Sequence, residues 1–347
     1  MLASVTMVSV RNFLPRITFA SFNFSTRASL SSSNVSLPYF LVSLIRVLSS
    51  GTWSSTERWQ NLDFLVASDM FMTPTASMAD IVLPVASFLE FDSIVQPSRH
   101  SVAQVQQGIA EIGECRSDYR ILKELAKKLG LAEYFWDNDE QALDAVLKPA
   151  GLTFREFRKV GAISGVKLYR TYEGSGFETP SHKVELYSSQ LEKWGFDPLP
   201  VFRELPETPF SNPELAREYP LTFTSWKVEP FRHSGGRQIA SLRSSHPEPL
   251  VSIHPETAGK LGIKEGDWVY IETKRGKIRQ KATLIDSLDT RVIGVDYAWW
   301  FPEQGVSSQY GWADSNVNVL TDSEPPYSRE MGSANFRGVL CKVYKVP

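Results

Sequence analysis

The sequence predicts two architectures in succession, a partial open α/β unit and then an all-β closed barrel. Three observations carry this. An apolar run at residues 64–67, the mark of a strand buried on both faces, leads to Asp69, then to a turn and a second apolar run at 81–83 that reads as the next strand. Between Ser117 and Pro149 the apolar residues recur at helical spacing. From Leu221 onward the pattern changes to short alternating strands punctuated by Gly and Pro, as in a barrel of five or six strands.

Taken in order, the first fifty-odd residues match nothing that follows. They lack Asp and Glu, are rich in Ser, and carry only Arg11, Arg16, Arg27 and Arg46 as charges. That composition resembles an organellar presequence, but it fits better a cloning, frameshift or gene-call artefact, a poorly ordered leader over residues 1–51. It is not taken as a targeting signal, and the location defaults to the cytoplasm. Its apolar stretch is broken by Pro38 and Arg46 and falls short of the roughly 18 residues a bilayer span requires.

Residues 52–201 form the α/β part. The strand at 64–67 ends at Asp69, Thr73 caps a turn opened by Pro74, residues 75–79 make a short helix, and Pro84 stops the strand at 81–83. Ligands of open sheets sit beyond the carboxyl ends of strands, which places Asp69, Thr73 and Thr75 where a nucleotide hydroxyl or amide is met; the alternative is that they are caps and turn residues. Ser117 or Asp118 caps a helix with Ile121, Leu122, Leu125, Ala126 and Leu129 on one face, closed by Gly130. A second helix ends before Pro149. Residues 161–209 read as loops and short strands, and 202–219, rich in Pro and charge, as a linker.

The barrel, residues 220–347, opens with a strand at 221–224, followed by one at 250–253, a helix between Pro255 and Gly262, a hairpin of 268–273 with 278–284 turning at Lys274, Arg275 and Gly276, and a strand at 291–296. After the first strand come Arg232, His233, Ser234, Gly235, Gly236 and Arg237. Adjacent glycines let backbone N–H groups approach an anion while guanidinium forks grip it, so a pyrophosphate fits; the alternative is a basic surface loop. Trp299, Trp300 and Phe301 read as core and lid in preference to a stacking platform.

Composition narrows the function classes. With 37 basic against 39 acidic residues there is no polybasic excess to neutralise nucleic-acid phosphates. Cys115 and Cys341 are the only cysteines, too few for a metal or iron–sulfur site of their own, and both read as buried hydrophobes. His100, His182, His246 and His254 show no ligand spacing with one another. No G-x-S-x-G, H-E-x-x-H or phosphate-loop motif is present.

Five segments together resemble a known family. DFLVASDMFMTPTASMADIVLPVASFLE, GFETPSHKVELYSSQLEKWGFDPLP, FTSWKVEPFRHSGGRQ with PLVSIHPETAGKLGIKEGDWVYIETKRGKIRQKATL, and SNVNVLTDSEPPYSREMGSANFRGVLCKVYKV are similar to the third domain, linking hairpin and final molybdopterin-dinucleotide-binding domain of the molybdenum and tungsten oxidoreductases of the dimethyl sulfoxide reductase family. In the linking hairpin His182 stands where the family commonly has Gly. The resemblance implies a partial Rossmann-like α/β domain followed by a six-stranded double-psi barrel. It implies that Asp69, Thr73, Thr75, Ser225, Arg232, His233, Gly235, Gly236, Arg237 and one or both of Asn316 and Asn318 hold a molybdenum or tungsten bis(molybdopterin guanine dinucleotide). The two Asn lie two apart and would point to opposite faces of an extended strand.

The family's metal ligand and iron–sulfur cluster come from earlier domains, so the resemblance implies the C-terminal, cofactor-gripping portion of an enzyme, truncated and inactive alone. Its partners are then the cofactor, the N-terminal half and, for the full complex, an iron–sulfur electron-transfer subunit, with neither nucleic acid nor a membrane span. Two alternatives stand beside it: a separate dinucleotide-binding subunit of a split enzyme, and a noncatalytic double-psi binding module.

Overall fold

The computed structural model describes residues 62–96, 102–166, 169–321 and 335–347; the leader at 1–51 and His100 lie outside the described residues. The chain divides into two units, whose described parts fall within Leu62–Gly176 and Phe177–Pro347. Among the described residues no helix is long and apolar enough to cross a membrane.

In the first unit, β1 (Val66–Asp69) and β2 (Ile81–Pro84) pair in parallel, Val66 opposite Ile81 and Asp69 opposite Pro84. The strand lies two residues later than the apolar run suggests. Leu65 is buried, but its carbonyl already accepts from the N–H groups of Asp80 and Ile81, so the run marks burial that begins before the ladder does. A separate antiparallel sheet joins β3 (Ser93–Val95), β4 (Val102–Gln106) and β5 (Ala162–Ser164), with β4 central. Against it pack Leu147, Phe154 and Phe157 from α2 (Asp139–Leu147) and α3 (Phe154–Val160).

Local signals begin these helices where expected. The Ser117 hydroxyl caps α1 (Asp118–Lys128) by accepting from the Arg120 N–H at 3.3 Å, and Gly130 takes φ +74° after it. The face of α1 is shallower than its periodicity suggests, with Ala126 its only fully buried residue and Leu125 and Leu129 exposed. Thr153 and Glu156 form a reciprocal capping box at the start of α3.

In the second unit six strands close a barrel in the order β10–β6–β11–β8–β9–β7. They are β6 (Leu221–Trp226), β7 (Leu250–Ile253), β8 (Trp268–Thr273), β9 (Gly276–Leu284), β10 (Val292–Asp296) and β11 (Val339–Lys345). β10 with β6 and β7 with β9 run parallel, and the other four pairs are antiparallel. Alternation decides which side chains enter. Val269, Ile271 and Thr273 on β8 and Ile278, Gln280 and Ala282 on β9 point inward, meeting Phe223, Val251, Ile253 and Ile293. Each such aliphatic or aromatic side chain removed from water stabilises the fold by about 1.5–3 kcal/mol.

The β8–β9 turn is tighter than its three-residue reading, because Thr273 pairs with Gly276 across Lys274 and Arg275 alone. A Cβ on Gly276 would lie 2.7 Å from the Val319 carbonyl oxygen, so a side chain there is excluded. Cys341 is fully enclosed in the core, where burial pushes its thiol pKa up. Cys115 is only half-buried.

Between the unit boundary and the barrel, the TPSHKVELY segment forms turns and contributes no paired strands. His182 takes φ +57° there, and its N–H closes a turn onto the Thr179 carbonyl; the position asks for the left-handed conformation that glycine adopts most readily. The stretch read as linker is anchored instead. Buried Glu207 meets Arg275 through two contacts of 2.9 and 2.5 Å and Lys274 at 2.7 Å, followed by α4 (Pro213–Glu218), which Asn212 caps.

Candidate functional site: a framed basic turn beside the barrel

After β6 the chain leaves the barrel and forms a tight turn. Arg232 donates its N–H to the Gly235 carbonyl at 3.2 Å and Gly235 returns the bond at 2.9 Å, which leaves His233 and Ser234 at the tip. His233 adopts φ +52°, an uncommon conformation for a residue with a Cβ and one that costs about 1–2 kcal/mol unless held in place. Gly236 follows at φ +99°, where a Cβ would press on Phe231 and Leu242 at 3.3 Å. Arg232, His233 and Ser234 are exposed.

Arg237 goes the other way. It is 2% exposed, with its guanidinium 4.6 Å from the ring centre of Phe231 and 4.9 Å from that of Trp299. Its two terminal nitrogens donate to the carbonyls of His233 at 2.6 Å and Tyr297 at 2.7 Å. Burial pulls its pKa down to about 9, with Asp296 opposing and Arg243 adding to the shift, so it remains charged at neutral pH. The two arginines expected to share an anion are therefore divided between the exposed tip and the interior.

A buried frame supports the turn. Trp300 donates its ring N–H to the Ser234 carbonyl at 2.7 Å. Arg243, on α5 (Ala240–Ser245), stacks 4.9 Å over Trp299 and donates to the Pro247 carbonyl and to Glu303. His246 sits edge-on to Phe231 and 2.6 Å from the Asp296 carboxylate, which also accepts from the Leu250 N–H at 2.8 Å. Gln280, fully buried in the barrel, donates to the Asp296 and Ser315 carbonyls and accepts from the Asp296 N–H. Trp299, Trp300 and Phe301 are buried, but outside the barrel core in which their sequence suggests they lie. Trp299 and Phe301 belong to a satellite cluster with Phe231 beneath the turn, apart from the barrel core.

Asn316 and Asn318 do not lie on an extended strand. They sit at and within a 3-10 turn over Val317–Val319 that follows α6 (Trp312–Ser315), so the expectation of opposite strand faces is replaced. Asn316 is buried, donates to the Trp299 carbonyl at 3.1 Å and accepts from the Asn318 N–H at 3.1 Å. That ties the 316–318 turn to the aromatic frame and leaves Asn316 one amide hydrogen and one lone pair. Asn318 is half-buried. Ser225 is half-buried on β6, opposite Val295 in the parallel ladder.

In the first unit Asp69, Thr73 and Thr75 share one loop beyond β1. Asp69 accepts from the Phe71 N–H at 3.2 Å and the Thr73 hydroxyl at 3.0 Å, and Thr73 accepts from the Ala76 N–H at 3.3 Å. Thr73 thus caps the turn as expected. Thr75 precedes the 3-10 helix Ala76–Met78 without a side-chain cap. Burial raises the Asp69 pKa, and the bonds from Phe71 and Thr73 oppose it.

Sequence reasoning missed the frame: Arg243, His246, Gln280 and Asp296. One of these left a signal. Gln280 falls between Ile278 and Ala282 on the inward register of β9, and a polar residue on such a register must bond to backbone inside the barrel.

Residues 221–339 match the family described as Molydopterin dinucleotide binding domain, and residues 24–128 match the family described as Molybdopterin oxidoreductase; the second match begins inside the stretch read as a leader. Acetylene hydratase of Syntrophotalea acetylenica is 36% identical over 296 residues, covering 82% of this chain and 40% of that protein. A protein of Halobacterium salinarum named for dimethyl sulfoxide reductase, as its catalytic subunit, is 28% identical, covering 81% of this chain and 37% of that protein. A solved structure of acetylene hydratase from Pelobacter acetylenicus superposes with a TM-score of 0.78 at 34% identity, over 85% of this chain and 42% of that one. The chain spans about two fifths of the length of these relatives. By its two family matches and these relatives, this chain belongs to the molybdopterin oxidoreductases of the dimethyl sulfoxide reductase family.

Proposed function

We propose that residues 221–339 hold the dinucleotide of a molybdenum or tungsten bis(molybdopterin guanine dinucleotide), with the turn at 232–236 as the anion-binding element. The observation that carries this is the divided loop: a tip of exposed Arg232 and His233, fixed by buried donors from beneath. Such a tip offers a guanidinium fork, an imidazole and backbone N–H groups to a pyrophosphate without a large ordering cost on binding. Asn316 has capacity left for the edge of a pterin or guanine. The loop of Asp69, Thr73 and Thr75 is read as the contact of the first unit with a guanosine. Asp69 still has acceptor sites, and its buried position strengthens any hydrogen bond it accepts from a hydroxyl. Parallel pairing of β1 with β2, and of two strand pairs in the barrel, supports reading the two units as Rossmann-like and double-psi.

When bound, the metal and its pterins supply the redox chemistry of such enzymes, and this chain binds and orients them. Titration of the full chain with guanosine diphosphate tests the reading. Wild type is expected to bind, and Arg232→Ala to weaken binding about tenfold or more, the equivalent of one charge-assisted hydrogen bond of about 1.5–3 kcal/mol. Absence of binding by wild type, or equal binding by the variant, removes the turn from the site.

A further inference from the structure

We infer that Arg237 and Trp300 are positioning residues, which turn the peptide groups of the 233–235 tip so that the Ser234 N–H faces outward as an anion donor. The inference rests on the proposed binding role of this turn and assigns Arg237 a place within it that is not direct contact with the ligand.

The argument starts from peptide geometry. In a planar trans peptide the C=O and the N–H point in opposite directions. The His233 carbonyl is drawn toward Arg237, which is 98% enclosed, so the N–H on the other side of that peptide, from Ser234, points away from the frame and toward the exposed tip. The next peptide is fixed in the same sense. Its carbonyl, from Ser234, accepts from the Trp300 ring N–H, and its own N–H, from Gly235, is already given to the Arg232 carbonyl. Of these two peptides, only the Ser234 amide is left to donate outward, next to the exposed side chains of Arg232 and His233.

The same contacts explain how His233 keeps φ +52°. A non-glycine residue persists there only when its surroundings over-determine it. Arg237 bridges the tip and the Tyr297 carbonyl across sixty positions of sequence while stacked against Phe231 and Trp299. A lysine has one nitrogen in place of the planar fork and cannot make both contacts while stacking flat.

The test uses the full chain labelled with 15N-serine, the Ser234 resonance being identified by its loss in Ser234→Ala, and inorganic pyrophosphate as the probe. In wild type, pyrophosphate is expected to move the Ser234 amide proton downfield. Arg237→Lys and Trp300→Phe are expected to lose that shift, to weaken pyrophosphate binding about tenfold, and to speed hydrogen exchange across residues 232–237 at least tenfold, with the barrel strands still protected. Arg232→Ala is expected to weaken binding while keeping wild-type exchange.

Wild-type exchange at 232–237 in both framing variants overturns the inference whatever pyrophosphate does. So does faster exchange with wild-type affinity and an unchanged Ser234 shift. Lost affinity in Arg237→Lys with wild-type exchange makes Arg237 a direct ligand and also overturns it. If wild-type protein ignores pyrophosphate, the binding role of the turn fails, and the exchange arm still decides the framing role. Should Trp300→Phe not fold, Arg237→Lys carries the test alone.

Discussion

The two units of this chain are built on opposite principles. In the barrel every strand has two partners and the order closes on itself, so no ladder group is left at an edge and one continuous core fills the centre. In the first unit the described strands form a two-stranded and a three-stranded sheet, and the apolar cluster holds three fully buried residues, Leu147, Phe154 and Phe157. A parallel pair of four-residue strands is marginal on its own. The difference shows where rigidity is available: the 232–236 turn, supported by the barrel, is held in a strained shape, whereas the Asp69 loop is held by local side-chain bonds.

The largest expected effect follows from cooperativity in the barrel. Phe223→Ala removes a fully buried ring from the closed core and is expected to cost about 3–5 kcal/mol, lowering the denaturant midpoint of residues 177–347 as a whole. Phe157→Ala is expected to loosen only the first unit, leaving barrel hydrogen exchange at wild-type rates. Loss of barrel protection in Phe157→Ala would show that the two units share one folding transition.

A smaller effect belongs to the clamp on the β8–β9 turn. Burial alone pushes the Glu207 carboxyl up, but hydrogen bonds and charge from Arg275 and Lys274 more than reverse this and hold it below the usual carboxylate range. Its contribution is therefore present above the unfolded pKa, about 4.3, and is lost as pH falls through the folded value. Glu207→Gln is expected to cost about 2–3 kcal/mol at pH 7, below the usual range for a broken buried pair because Lys274 is half-exposed. The gap between wild type and variant should close on acidification below about pH 4. A gap that is constant with pH would remove the ion pair as its cause.

Asp69 is expected to give the smallest effect and the opposite sign. Its pKa is raised by burial, so the folded state holds the proton more tightly, and stability falls as pH rises from the unfolded value, about 3.9, through the folded one. Relative to Asp69→Asn, wild type should lose stability over that window, read by urea unfolding at a series of pH values. A gain in stability over the same window would mean that the bonds from Phe71 and Thr73 outweigh burial.

Much of this was legible in the sequence, for a physical reason that also sets the limit. Strict alternation places β8 at its observed bounds, because inward and outward residues of a barrel strand meet core and water in turn. It does not single out β11, where Val339, Leu340 and Cys341 are buried in succession, leaving no period to read. At the site, the Gly235–Gly236 pair marks the turn. Gln280 apart, the frame is invisible because the contacts that tie it together join residues fifty or more positions apart: Arg237 with Tyr297, Arg243 with Glu303, Trp300 with Ser234, His246 with Asp296. An arginine in a basic loop reads as a ligand; only the fold shows which of two arginines turns inward. The 3-10 turn that carries Asn316 and Asn318 was hidden for a related reason, since VNV has the composition of a strand.

Hydrogen exchange of the full chain with and without guanosine diphosphate tests most directly whether the framed turn is where a dinucleotide binds. Added nucleotide is expected to slow exchange at residues 231–237 and 312–320, with little change in the barrel strands, which are protected already. Protection confined to other segments, or none at saturating nucleotide, would contradict the assignment of the site.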